Sequence, residues 1–328
     1  MKPRRPYRRP RPGNAPRSTP QGEHVPVMLA EVLSALGELN AKTVVDCTLG
    51  YAGHSSELLR RVGPTGKLVA FDFDPQNIAA AETRLSTIGH PFSLHHGNYA
   101  GLVQALAGEE IFQIDGVLAD LGMSSMQVDD PQRGFSFMRE GPLDMRMDPT
   151  RGKTAGELLA TIPLDELTTA LTELGDEPQA EKIARAIVNE RKSRSFQTTT
   201  ELREFILQAA PVKLEFQAAK RPVPEWQQRI RPVARVFQTL RILVNRELAN
   251  LTALLRAMPG LLKPGGRIVL ISFHSGEDRI IKQAFRDGQR AGVYSTISEE
   301  PIRPGHAERF SNPRSRSAKL RWAERAMA

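Results

Sequence analysis

Several residues that can do chemistry fall where a strand gives way to a loop. Thr43-Val44-Val45-Asp46 is a short β-rich run, and Thr48-Leu49-Gly50-Tyr51-Ala52-Gly53-His54 follows it. Gly50 and Gly53 let backbone approach a ligand closely, and the loop feeds a helix N-terminus with free N–H groups. Asp72 ends a second apolar run, Lys67 to Phe71. An acid about 20 residues past a glycine turn can accept both hydroxyls of a ribose. Asp120 ends a further run, Ile114 to Leu118, and His274 follows the strongest strand signal of the chain, Arg267 to Phe273. Phe273 can stack on a flat ring. His274 can shuttle a proton near neutral pH or serve as a satisfied structural histidine. Asp74, directly before Pro75, is read as the N-cap of the helix that begins there.

These positions need elements to hold them. A helix over Val27–Leu36 precedes the first strand, and a helix from Ser55 to about Val62 follows the glycine loop. Gly63-Pro64-Thr65-Gly66 is a turn, Ile78 to Leu85 continues the helix from Pro75, and Phe92 to His95 is a third strand. Strand and helix alternating at this spacing predict a parallel sheet with crossover helices, its strands short and continuously apolar because both faces are covered. In such a sheet ligands bind at the carboxyl ends of the strands. After Asp120 the pattern turns helical: Leu164 to Leu174, Ala180 to Asn189 and Thr199 to Ala210. Pro211, Pro222, Pro224 and Pro232 mark irregular chain. A long helix then carries one apolar stripe from Val233 to Leu255. Lys263-Pro264-Gly265-Gly266 is a tight turn before the fifth strand, and Ser317 to Ala323 is a last strand. A helical block of about a hundred residues thus interrupts the sheet between its fourth and fifth strands, placed to cover a ligand crevice.

Composition narrows the classes. The chain has 328 residues, enough for a core domain plus an insertion. No window reaches about 18 consecutive apolar residues, so no membrane span is expected. Cys47 is the only cysteine, which excludes an intramolecular disulfide and a cysteine-built metal site and suits a cytoplasmic setting. No metal is expected. The net charge is +8, and seven of those charges lie in the acid-free, proline-rich segment 1–22, read as a disordered basic tail. Such an arm either solubilises the chain or attracts a polyanion.

Two cofactor classes share the acid after the second strand. The dinucleotide fingerprint needs three glycines around a pyrophosphate, and Leu49-Gly50-Tyr51-Ala52-Gly53-His54 lacks that pattern. A sulfonium cofactor needs no pyrophosphate cradle, which favours S-adenosylmethionine over a nicotinamide cofactor.

Longer motifs then point to one family. Asp120-Leu121-Gly122-Met123-Ser124-Ser125 leads to Gln127, Asp129 and Asp130, then to Arg133-Gly134-Phe135-Ser136-Phe137 and Gly141-Pro142-Leu143-Asp144-Met145-Arg146-Met147-Asp148. Ala184-Arg185-Ala186-Ile187, Phe237-Gln238, Arg241-Ile242-Leu243-Val244-Asn245, Ile271-Ser272-Phe273-His274-Ser275 with Glu277-Asp278-Arg279, and Asn312-Pro313-Arg314-Ser315-Arg316-Ser317 follow. With these motifs the chain resembles the bacterial small-subunit (16S) rRNA cytosine-N4-methyltransferase family, RsmH or MraW, from about His24 to Arg325. The resemblance implies an α/β fold: a Rossmann-like S-adenosylmethionine-dependent methyltransferase core with an inserted, mostly helical domain. It divides the chain into the tail 1–22, a first core part 23–126, the substrate-recognition insert 127–231 and a second core part 232–328. It also implies cofactor contacts from Ala52, Gly53, His54, Asp72, Tyr99, Asp120 and Gln127. Ala52 stands where the family usually has glycine, Tyr99 where phenylalanine is common, Met126 for a usual proline and Gly276 for a usual leucine.

The substrate implied is a cytidine of 16S rRNA in the decoding centre of the small subunit, methylated on its exocyclic N4 amine. The lone pair of that amine is delocalised, so positioning has to contribute much of the rate, and the base must leave its stack. Asp120 is the candidate acceptor for the amine, or it binds cofactor only; His274 is a second catalytic candidate, with the structural reading beside it. Arg133, Arg139, Arg146, Arg151, Lys153, Arg191, Lys192 and Arg194 in the insert, and Arg314, Arg316, Lys319 and Arg321 near the C-terminus, are candidates for phosphate contacts. A nicotinamide oxidoreductase and a non-catalytic ribosome-assembly factor are the competing classes, and monomer and homodimer both stay open.

Overall fold

A computed structural model describes residues 25–212 and 223–327. The basic tail 1–22 and His24 lie outside the described residues. The strands are β1 (Thr43–Asp46), β2 (Lys67–Asp72), β3 (Phe92–His96), β4 (Ile114–Asp120), β5 (Leu262–Ser272), β6 (Tyr294–Ile297) and β7 (Lys319–Arg325). They form one sheet in the order β3-β2-β1-β4-β5-β7-β6. The first five run parallel, and β7 lies antiparallel between β5 and β6. This is a Rossmann-like order with an antiparallel strand set into its far edge.

The apolar runs of β1, β2, β4 and β5 are buried on both faces, as expected, whereas β3, at the edge of the sheet, is only half-buried. Successive side chains of a strand point to opposite faces. Val45, Val69, Val117, Ile268 and Leu270 therefore join one core cluster, while Val44, Leu68, Leu118, Val269 and Ile271 join the other. The second face is covered by α1 (Leu29–Leu36), α2 (Gly53–Val62) and α3 (Pro75–Ser86) through Leu33, Leu58 and Ala81. The first is covered by α4 (Leu102–Gly108) and by helices that return after the insert.

The insert leaves the sheet at Asp120. It holds α5 (Ser125–Asp129), α6 (Ala155–Thr161), α7 (Leu164–Glu173), α8 (Ala180–Glu190) and α9 (Thr199–Ala209). α10 (Glu225–Asn245) and α11 (Glu247–Leu261) lead back to β5, followed by α12 (Ser275–Arg290) and α13 (His306–Ser311). The helices of the insert bury a core of their own, with Leu159, Leu167, Ile183, Ile187, Leu202 and Ile206.

The single long helix of the sequence reading is two helices. Arg246 takes left-handed backbone, φ +53, and ends α10. Val233, Val236, Phe237 and Leu240 before it pack into the core of the insert, beyond the boundary drawn at 231. Leu251, Leu254 and Leu255 after it pack onto the sheet. One straight stripe cannot face both cores, so the chain turns between them. Pro232, read as a mark of irregular chain, lies inside α10 and is buried there. The Lys263–Gly266 turn survives as a register jump: Leu262 pairs with Ile114, and Arg267 with Gly116. α1 and α2 begin at Leu29 and Gly53 rather than at Val27 and Ser55.

Candidate active site

The carboxyl ends of β1, β2, β4 and β5 open into a cavity of about 650 Å³. Asp46 builds its loop from outside the wall: Oδ1 accepts the Thr48 amide at 3.0 Å, and Oδ2 accepts the Ser55 hydroxyl at 2.6 Å. Gly50 and Ala52 then take left-handed backbone, φ +50 and +59. Gly53 and His54 follow as the open first turn of α2, where backbone N–H groups have no intrahelical partner. A Cβ on Gly53 would meet Pro26 Cβ at 3.3 Å, so the N-terminal segment closes over the loop. The ring of His54 is buried and its Nε2 bonds the Val27 carbonyl at 2.9 Å.

Asp72 anchors the same loop from the neighbouring strand. Its Oδ2 accepts the Gly50 amide at 2.7 Å, and its Oδ1 accepts the Asp74 amide at 2.8 Å and Asn77 Nδ2 at 3.1 Å. Burial pushes this carboxyl above its usual range, and those donors oppose the shift. Asp74 caps α3 through the Gln76 amide at 3.0 Å and also holds Arg133 of the insert. Tyr99 stands after β3, its ring edge-on to Phe73 with centroids 6.1 Å apart, and burial pushes its phenol well up.

Asp120 sits where β4 ends. Its amide donates to Thr48 Oγ1 at 2.7 Å, and its Oδ1 accepts the Gly122 amide at 3.3 Å. Burial pushes its carboxyl up to about 6, with nearby His54 the chief opposing influence. Phe273 lies against Gly122 so closely that a Cβ there would come 2.7 Å from its Cε2. An aromatic face and a carboxyl of raised pKa thus share one wall. Gln127 is buried on α5, its Oε1 accepting the Ser124 amide at 3.2 Å.

Gly53, His54, Asp72, Tyr99, Asp120 and Gln127 line the cavity together, as expected. Two other expected residues do not. Ala52 is fully buried as the N-cap of α2 and shapes the loop from beneath. His274 faces the helix rather than the crevice. It caps α12, its Nδ1 accepting the Glu277 amide at 3.4 Å while Glu277 Oε2 accepts the Phe273 amide at 2.8 Å. Its Nε2 lies 3.2 Å from Glu277 Oε1 without the alignment of a hydrogen bond.

Sequence reasoning missed a whole side of the wall. Asn245, Glu247 and Asn250 reach it from the break between α10 and α11. Asn245 accepts the Met147 amide at 2.7 Å and donates to the Met145 carbonyl at 2.8 Å, tying the break to the insert. Glu247 holds Arg241 through both oxygens at 2.8 and 2.9 Å. Glu247, His274 and Glu277 bring ligand atoms within 4.8 Å of one another. Arg241 engages Glu247, and the helix cap engages Glu277 Oε2 and His274 Nδ1, which leaves His274 Nε2 without a hydrogen bond. The motif Arg241 to Asn245 was visible in the sequence, but nothing local marked the turn that aims it.

The lining is acidic. Among the described residues Asp72, Asp120, Asp129, Glu247 and Glu277 face it, against Arg139 and Arg314. Both arginines bond Asp129: Arg139 Nη1 its carbonyl at 2.6 Å, Arg314 Nη2 its carboxylate at 3.0 Å. The field inside favours a cation and an amine and disfavours a pyrophosphate.

A family model described as the MraW methylase family matches residues 21–326. A Lachnoclostridium phytofermentans protein named ribosomal RNA small subunit methyltransferase H 1 is 42% identical over 94% of this chain and 83% of its own length. Proteins named ribosomal RNA small subunit methyltransferase H are 42% identical in Geobacter sp. (strain M21) and 41% identical in Acidobacterium capsulatum, each over 92% of this chain and 98% of its own.

Proposed function

The chain belongs to the MraW methylase family, and from that premise we propose that it methylates the exocyclic N4 amine of one cytidine in 16S rRNA, in the decoding centre of the small ribosomal subunit, using S-adenosylmethionine. The observation that carries this reading is the acidic cavity at the strand ends, with Asp120 at about 6 beside the ring of Phe273.

The residues present fit the cofactor. The free amides of Gly53 and His54 at the start of α2 suit a carboxylate, Asp72 suits ribose hydroxyls, Tyr99 packs against an adenine, and Gln127 closes the wall. The surrounding carboxylates suit a positive sulfur, which a nicotinamide dinucleotide with its pyrophosphate does not offer. The cofactor supplies an electrophilic methyl group. Phe273 stacks on the unstacked base and orients its amine toward that group. Asp120 accepts an N–H of the amine, which localises the lone pair on nitrogen, and Oδ2 of the same carboxylate takes the proton released by N-methylation. A carboxyl near 6 is well matched to that task at neutral pH. The helical insert, whose core runs on to Leu240, flanks the mouth of the cavity and takes part in meeting the ribosomal substrate, and an enzyme of ribosomal RNA works in the cytoplasm.

The test is transfer of tritium from methyl-labelled S-adenosylmethionine to small subunits from cells lacking the protein, followed by nuclease digestion and mass spectrometry. Label on N4 of a single cytidine supports the reading. Transfer to another base, or binding of subunits without transfer, removes it.

A further inference from the structure

Most of the cations that the sequence offered for RNA are used inside the protein. Arg133 holds Asp74 and donates to the carbonyls of Arg146 and Met147 at 3.0 and 2.8 Å. Arg146 is bidentate on Asp144, and Arg191 donates to the carbonyls of Leu159 and Ile162. Arg194 pairs with Glu190, while Lys319 and Arg321 share Asp278 at 2.8 and 2.7 Å. These residues order the fold: Arg133, Arg146, Arg194, Lys319 and Arg321 are paired with carboxylates, and Arg191 is tied to two carbonyls.

The segment 303–316 is different. It carries Arg303, Arg309, Arg314 and Arg316 against one acid, Glu308. Glu308 is turned toward the N-terminal segment, its Oε1 accepting the Met28 amide at 2.8 Å, so the segment keeps three charges in excess. Arg303, Arg309 and Arg316 are exposed, and Phe310 on α13 is 82% exposed between them, a large apolar ring left in water. The next four residues, Ser311 to Arg314, line the cavity. Arg314 ties the segment to the insert through Asp129. An exposed aromatic among unneutralised arginines, at the lip of a cavity for a flipped base, has the chemistry of a single-strand platform: ring faces stack on bases, and guanidinium groups hold the backbone.

We propose that α13 and the turn after it are the RNA-holding lip of this site, with Phe310 stacking on a nucleotide next to the target and Arg309 and Arg316 holding the flanking phosphates. The occupant is single-stranded RNA; charge excludes a basic partner, and the lip is continuous with the cavity that takes the base. This deepens the function proposed above and rests on it for the identity of the target, but the lip has its own readout in RNA binding.

Phe310→Ala, Phe310→Trp and the double variant Arg309→Ala/Arg316→Ala test it. The measurements are binding of a single-stranded RNA as a function of salt, KM for small subunits, S-adenosylmethionine affinity by calorimetry, and mass by sedimentation. Phe310→Ala should weaken RNA binding and raise KM about tenfold or more, with cofactor affinity unchanged, and Phe310→Trp should restore both. The double variant should lower the slope of log affinity against log salt by about 1.4, two phosphate contacts on a single strand. RNA affinity unchanged in Phe310→Ala overturns the inference. So does a parallel loss of cofactor affinity, which makes the segment a wall of the cofactor site. A change of oligomeric state makes Phe310 a contact between copies and overturns it too. If wild-type protein binds RNA through Phe310 yet methylates no cytidine, the lip stands and the proposed reaction falls.

Discussion

The carboxylate of Asp72 accepts the amide of Gly50 at 2.7 Å, and that bond fastens the end of β2 to the loop after β1. The residue assigned to the ribose therefore also sets the loop beside it. Asp72→Ala should weaken cofactor binding by about 1.5–3 kcal/mol, the range for hydrogen bonds to a charged group. Calorimetric titration checks this, and unchanged affinity would sink the ribose assignment. Asp72→Asn, which keeps one acceptor, should fall between the two.

Ala52 is held at φ +59 with its methyl fully buried. Left-handed backbone costs a residue with a Cβ about 1–2 kcal/mol, and glycine escapes that cost at the expense of a more flexible unfolded chain. Ala52→Gly should therefore stabilise the protein by up to about 1 kcal/mol, read from the midpoint of urea unfolding. A lower midpoint would mean that the buried methyl contributes more packing than its backbone costs in strain.

His274 caps α12 and does not line the cavity. His274→Ala should lower stability by about 1 kcal/mol, the ordinary cost of losing an N-cap, and His274→Asn, itself a good cap, should recover most of it. The pH profile of turnover should keep its shape in both. A profile that loses a limb in the asparagine variant would return His274 to the chemistry.

The parts of this site legible in the sequence were those whose signal is local. Strand ends, the glycine loop, Asp72 and Asp120 follow from short apolar runs and the residues that stop them. The cap made by Asp74 follows from its place before Pro75. What was hidden depends on contacts distant in sequence. The stripe from Val233 to Leu255 keeps one periodicity across Arg246, so nothing in it marks the turn that brings Asn245, Glu247 and Asn250 to the cavity. Glu277 stood in the sequence only as part of a motif, and its place on the wall shows only in the fold, where its Oε2 accepts the Phe273 amide beside the cavity. Ala52 and His274 sit in the right segments and point elsewhere. Sequence spacing gives the segment, and only packing gives the direction.

Asp120 combines a cost in stability with the proposed proton acceptor, and the two have opposite consequences on substitution. Its carboxyl titrates near 6 in the folded protein and at its ordinary 3.8 when exposed. Between about pH 4 and 6 the folded state binds more protons than the unfolded state, so this group's contribution makes stability fall as pH rises through that window and stay level above it. Asp120→Asn removes the penalty while keeping an oxygen for the Gly122 amide. The variant should be more stable than wild type above pH 6, by at most on the order of 3 kcal/mol for a shift of this size, and the gain should vanish below pH 4. Turnover should move the other way. An acceptor must be ionised, so wild-type kcat/KM should rise with pH to a plateau above about 6, while the variant should lose that limb and turn over far more slowly at nearly unchanged RNA affinity. Thermal unfolding at pH 4 and pH 7, with single-turnover rates over the same range, reads both arms. A variant that is stabilised yet as fast as wild type would leave Asp120 a buried acid on the cavity wall with no part in proton transfer.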